Sequence, residues 1–371
     1  MPAEDTDNAR LTAPPMTPWR PEDATAGALE SVASRVGAAT WELGLHRWFW
    51  GEGVCLLGLV QSGQAFSGTI PDRVVHWYDA QLLADGADPS RTLDHVNEVA
   101  PGSAALAVAA DPRADRAAYL APLRRLADWT RGTRVTHAPN GAIEHWPGGV
   151  WADTMYMVGV FLARLGAQID DLGLSREGVA QITAHAEILQ GVNGLFVHGS
   201  HRGEVIPCHW GRANAWAALA TVEILELAQS TPGIAEAAKP LRDRLARQLA
   251  ELSRLQPRHG VWDVLVDGQV ENAGIVETSA AAGIAAAMLR AAALLEEPAL
   301  LASGWRALLG TLAYVDDAGF LTRVSAGTVL QLVPFGYSVI RDDRPQPWGQ
   351  GLLLTALAAG SDAIARGDGP R

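Results

Sequence analysis

The chain has 371 residues, is 48% apolar and carries a formal charge of −12. That length admits two ordinary domains or one large repeat-built domain, and the acidic balance argues against nucleic acid as a partner. Two cysteines, Cys55 and Cys208, offer neither a disulfide framework nor metal-ligand spacing, so reduced thiols and a cytoplasmic location are expected.

Residues 1–20 lack the apolar run of a signal peptide and read as a flexible arm, with a single domain over 21–371. No uninterrupted apolar run of about twenty residues occurs, so no membrane partner is expected. Helical periodicity predicts helices over 25–41, 51–62, 71–87, 102–110, 113–131, 150–166, 174–188, 211–230, 235–254, 277–295, 297–314 and 349–366. Strand signals are confined to short runs at 261–266 and 321–333. Segments 113–131 and 235–254 carry charges on one face, as outer helices do; 150–166, 211–225 and 277–290 are rich in Ala, Gly and Leu, as inner ones are. An alternation of about six of each predicts an all-α toroid, an (α/α)6 barrel.

The first candidate for chemistry is Asp94-His95-Val96-Asn97, just before Pro101-Gly102. Asp94, His95 and Asn97 suit a polar pocket, and they suit an Asx-turn equally well. The next is the stretch from His145 to Leu165, where a Gly-Gly turn delivers Trp151 to a helix apolar on most faces. Gly159, Ala163 and Gly166 give that helix a small face on which a neighbour can approach closely. Asp153 lies in its first turn, either supporting the helix N-terminus or acting as an acid.

Tryptophan contributes 13 residues against 5 Tyr and 6 Phe. Its broad π-face suits stacking on the C–H face of a sugar. Trp50-Gly51, Trp210-Gly211 and Trp348-Gly349 each open a predicted helix, and Trp151-Ala152-Asp153 and Trp262-Asp263 look like variants. If those helices form the inner ring, Trp50, Trp210 and Trp348 and the residues that follow them line one rim together. Arg212 and Trp216, at i and i+4, share a helix face, suited either to a ring bearing a carboxylate or to a cation–π pair at the helix start. Asn214 and His209 flank them.

The acid pairs Asp170-Asp171, Asp316-Asp317 and Asp342-Asp343 lack a third acid at helical spacing and read as solvated turns. His198, His201 and Cys208 have no HxxxH or CxxC spacing, so no metal is expected. Neither a phosphate loop nor a G-x-S-x-G elbow occurs, and no cofactor is expected.

Taken together, Asp94-His95-Val96-Asn97, His145, Trp151 through Met157, Trp210 through Trp216, Glu277-Thr278-Ser279-Ala280 and Trp348-Gly349-Gln350-Gly351 form an ordered set. Over roughly residues 45 to 365 that set resembles the unsaturated uronyl hydrolases of glycoside hydrolase families 88 and 105, and more closely the rhamnogalacturonyl branch. The resemblance implies an (α/α)6 barrel that removes a terminal 4,5-unsaturated uronic acid from a small carbohydrate by hydrating its C4=C5 bond. It implies Asp153 as acid/base, Asp94 as a neighbour whose charge keeps Asp153 protonated, and Arg212, Trp216 and His145 as substrate ligands. The chain departs from the family where glycines are common, at Ala213 and Ala215, whose methyl groups are expected to narrow the pocket or alter the sugar accepted. Conventional two-carboxylate hydrolysis and a non-catalytic sugar-binding barrel are the alternatives.

Overall fold

A computed structural model describes residues 14–84 and 87–371. Its helices in chain order are α1 (Ala26–Glu42), α2 (Trp50–Ser67), α3 (Asp72–Leu82), α4 (Pro101–Ala109) and α5 (Arg116–Thr130). There follow α6, which opens with a π-helical turn (Met155–Gly159) and continues over Val160–Gln168, then α7 (Leu172–Leu189), α8 (Gly211–Ser230) and α9 (Ala235–Leu255). The last are α10 (Thr278–Leu295), α11 (Ala299–Leu312) and α12 (Pro347–Ala365). Each of the twelve predicted helices is present, the one predicted over 71–87 ending at Leu82, with residues 85–86 outside the described residues.

Even-numbered helices form the inner ring and odd-numbered ones the outer. Successive even helices touch one another, and α12 closes the ring on α2 while also packing on α1. The composition dictates this division. The inner α10 is buried on nearly every face, whereas the outer α9 buries Leu241, Leu245, Leu249 and Leu252, at helical spacing, and exposes its charges. Closure depends on small residues, since a Cβ on Gly58 of α2 would lie 2.2 Å from the Gly351 carbonyl of α12. The small face predicted on α6 also meets its neighbour: a Cβ on Gly178 of α7 would lie 2.6 Å from the Gly159 carbonyl and 2.7 Å from the Ala163 side chain.

Helix α10 is apolar and long enough, by composition, to cross a membrane, but 83% of it is buried within the ring. The predicted strand runs form isolated bridges, such as Trp210 with Leu265 and Val315 with Leu321, because among the described residues no long strand lies beside them. Among the described residues the one ladder joins β1 (Ser200–His201) to β2 (Glu204–Val205). The described end of the predicted arm lies against the barrel: Met16 N–H donates to the Tyr314 hydroxyl and Trp19 N–H to the Leu309 carbonyl. The acid pairs serve turns, caps and ion pairs. Asp171 caps α7, Asp316 accepts the Phe320 N–H, and Asp342 and Asp343 pair with Arg323 and Arg341.

Candidate active site

The N-terminal ends of α2, α6, α8 and α12 surround a cavity of about 500 Å³. Its wall includes Trp50, Asp94, His95, Asn97, His145, Trp146, Trp151, Asp153, Arg212 and Trp348. Converging helix N-termini present partial positive charge, which favours an anionic ligand. Trp50 and Trp348 stack with ring centroids 4.5 Å apart, and the Arg212 guanidinium lies 4.4 Å from the Trp210 ring, 5.5 Å from Trp348 and 5.9 Å from Trp50. All three Trp-Gly motifs therefore meet around one arginine, on one rim. The Trp262 variant departs from the pattern: it is buried, its indole N–H donating to the Leu252 carbonyl.

The sequence left Asp153 between a helix cap and an acid. Among the described residues no backbone N–H takes its carboxylate; instead Asp153 Oδ2 lies 3.3 Å from His198 Nε2, and both atoms are buried without an aligned hydrogen bond. Burial pushes the Asp153 carboxyl up, but His198, His145 and Arg212 together hold it below the ordinary carboxylate range. This corrects the expectation that Asp94 keeps it protonated: the groups that act on Asp153 are imidazoles and a guanidinium. The π-helical turn beginning at Met155 follows directly, and such turns are frequent at functional sites.

Three imidazoles line up with Asp153. His145 lies flat on Trp151, 4.2 Å between centroids, its Nδ1 2.9 Å from Thr154 Oγ1. Burial, against the pull of Asp153, brings its pKa down to about 3, so it is neutral across the working range. His95 is likewise shifted down by burial, against Asp94 and Asp153. His95 Nδ1 accepts the Asn97 N–H at 3.1 Å, so the proton of the neutral ring sits on Nε2, which is buried without a partner in the cavity wall. The turn around it is a capping box made by His95 and Glu98, whose carboxylate takes the Asp94 and His95 N–H groups. Asp94 is thus exposed, with its carboxylate not needed by the turn.

Arg212 is almost fully buried. It donates to the Ser325 and Ala326 carbonyls and to Ser325 Oγ, and Glu277 Oε1 lies 3.8 Å away. Burial draws its pKa down to about 10, against Glu277 and Asp153, which leaves it cationic at neutrality. Its Nε is buried and unpaired.

Several expected ligands lie elsewhere. Trp216 is fully buried and stacks on Tyr156 at 5.1 Å, because the i+4 position turns into the ring interior; the aromatic partner of Arg212 is Trp210. Trp210 itself is buried behind the wall. Asn214 ties the 196 backbone to α8 through the Phe196 N–H and carbonyl, and His209 pairs with Asp267 at 2.9 Å. Ala213 and Ala215 are fully buried, and Ala215 faces Gly283 of α10, so neither methyl narrows the cavity. Trp146 and His198 are not among the residues the sequence nominates, and Trp50 enters there only through the shared rim. The Trp-Gly repeat marked Trp50; nothing local marked His198, which arrives on a connection.

A model of the family described as Glycosyl Hydrolase Family 88 matches residues 33–361. The chain is 31% identical to the unsaturated rhamnogalacturonyl hydrolase YesR of Bacillus subtilis over 345 residues, covering 88% of this chain and 93% of that protein. Among solved structures, a possible member of the GH105 family from Salmonella enterica superposes with a TM-score of 0.81 at 23% identity, over 92% of this chain and 95% of the other. The unsaturated glucuronyl hydrolase of Bacillus sp. GL1 superposes with a TM-score of 0.69 at 17% identity, over 92% and 97% of the two chains.

Proposed function

We propose a reaction for a chain that belongs to Glycosyl Hydrolase Family 88. The chain is a glycoside hydrolase. Its substrate in this reading is a small carbohydrate ending in a 4,5-unsaturated uronic acid, and the bond attacked is C4=C5. The similarity to YesR supports that substrate class. The observation that carries the chemistry is the half-buried Asp153 carboxyl in an aromatic wall, capping no helix, with His198 beside its buried oxygen.

Asp153, in its protonated form, gives its proton to C4. Positive charge develops at C5 and the ring oxygen, water adds at C5, and the water's proton returns to the carboxylate. The resulting hemiketal opens, leaving C1 as a hemiacetal that expels the aglycone as an alcohol. Arg212 helps to hold Asp153 ionised. A substrate carboxylate near the same guanidinium and helix N-termini offsets that pull, so Asp153 gains its proton as substrate binds. The unpaired Nε2–H of His95 and the exposed carboxylate of Asp94 suit sugar hydroxyls. Trp50 and Trp348 present π-faces to the ring. Both cysteines are buried free thiols, in keeping with the reducing, cytoplasmic setting we propose.

The test is turnover of an unsaturated uronide in heavy water. Deuterium is expected at C4 of the released uronic acid product, with the near-ultraviolet absorbance of the conjugated bond falling as product forms. Turnover without deuterium at C4 overturns the hydration reading and favours hydrolysis at the anomeric carbon.

A further inference from the structure

The chemistry above leaves a buried hydroxyl unexplained. Tyr337 is fully buried at the end of a 3-10 turn, Pro334–Tyr337, in the connection whose Thr328 and Val329 line the cavity. It lies 139 residues from His198, yet its hydroxyl is 2.8 Å from His198 Nδ1. The same oxygen accepts the Gln331 backbone N–H at 3.2 Å. Burial pushes the phenol well above its ordinary range, against the pull of Gln331, so its proton stays in place.

We infer that Tyr337 is a positioning residue: its hydroxyl donates to His198 Nδ1, fixes the proton of His198 on Nε2, and so holds the Asp153 carboxyl in its reactive orientation. This rests on the reading of Asp153 as the proton donor. The direction follows from counting protons. With the Gln331 N–H donating to the oxygen, the phenol proton needs an acceptor, and His198 Nδ1 is the one within reach. A neutral imidazole that accepts at Nδ1 carries its proton on Nε2, and Nε2 lies 3.3 Å from Asp153 Oδ2, close enough to attract the carboxyl although the two are not aligned as a hydrogen bond. The ring cannot readily turn to escape this arrangement. Trp210 lies 4.5 Å from it, Trp151 5.1 Å and Tyr337 5.5 Å. The ionisable groups acting on Asp153 are His198, His145 and Arg212, and those acting on Tyr337 are Cys208 and Asp153. Among the described residues no other hydroxyl reaches this imidazole. With Oδ2 facing His198, the other carboxyl oxygen is left for the cavity, where a proton has to be delivered to carbon.

The experiment combines nitrogen NMR of histidine-labelled full-length protein with kinetics on an unsaturated uronide. Wild-type His198 is expected as the Nε2–H tautomer, and Tyr337→Phe as a mixture of the two. In the variant kcat is expected to fall about 10-fold, the worth of one orienting hydrogen bond, with KM within about 2-fold. A melting curve checks that the variant is folded. The wild-type spectrum decides the matter even if it is not, since a proton on Nδ1 overturns the inference outright. A locked tautomer that Tyr337→Phe releases with kcat unchanged overturns the positioning role. Failure of wild type to turn over any unsaturated uronide would instead remove the proposed reaction, leaving the tautomer result standing.

Discussion

At the rim made by helix N-termini, half-buried Asp153 stands beside imidazoles and a caged arginine, its Oδ2 buried without an aligned hydrogen bond. At the opposite rim, around a second cavity of about 480 Å³, buried charge is answered by charge. Arg290 pairs there with both Glu223, at 2.7 Å, and Glu226, while Arg164 adds a contact to Glu223 at 3.5 Å. Burial pushes Glu223 up, but the two arginines bring it down to about 2. The cavities are of similar size, and hydrogen-bond alignment is imperfect at both, since Glu223 Oε1 and Arg164 Nη1 also lack aligned partners. What separates them is charge balance. A neutralised cluster ties helices together, while an acid surrounded by groups that can change its proton affinity is equipped for chemistry.

The largest expected effect breaks the functional rim alone. Asp153→Asn should reduce turnover about 10²–10⁴-fold, since the amide keeps the shape and cannot deliver a proton. Its unfolding midpoint should stay near that of wild type. Near-wild-type turnover would remove Asp153 from the chemistry.

Glu223→Ala should do the reverse. Leaving Arg164 and Arg290 without their shared carboxylate should cost about 3–5 kcal/mol of stability, read from urea melts, with kcat unchanged. The pH dependence has a definite sign. The folded pKa of about 2 lies below the ordinary glutamate value, so this contribution is full above about pH 4.3 and is lost as pH falls towards 2. The variant should lose less stability than wild type across that window. A parallel loss in both would show that Glu223 adds nothing.

How much of this the sequence showed depends on whether the signal was local. Helix positions and their inner or outer character follow from periodic burial, and all twelve helices could be placed from it. The repeated Trp-Gly placed the rim, because a repeat at each helix start encodes symmetry as well as packing. Trp216 misled because i+4 spacing on a helix says which residues are neighbours, without saying which face turns inward. The expected tuning of Asp153 by Asp94 came from likeness alone, whereas His198, which does act on it, and Tyr337, whose hydroxyl reaches His198, come from connections 45 and 184 residues further along that carry no periodic pattern. Their meeting is a product of tertiary structure.

The last and smallest effect concerns Asp94, which stands at the edge of the functional rim and sharpens the contrast with its buried centre. Its carboxylate is exposed, and the turn beneath it is capped by His95 and Glu98, so Asp94→Asn should leave the fold intact. Two carboxylates in contact would resist ionising together, and removing one would move the basic limb of the rate profile strongly downwards. Here His95 is the group that feels both acids, while Asp153 is governed by His198, His145 and Arg212. The basic limb should therefore shift only slightly, in the downward direction. The main loss should be a charged hydrogen-bond acceptor for a sugar hydroxyl, about 10- to 100-fold in kcat/KM. A large downward shift of the limb, measured from kcat/KM across pH, would show the two acids acting as one coupled pair once substrate is present. An unchanged kcat/KM would place Asp94 outside the site.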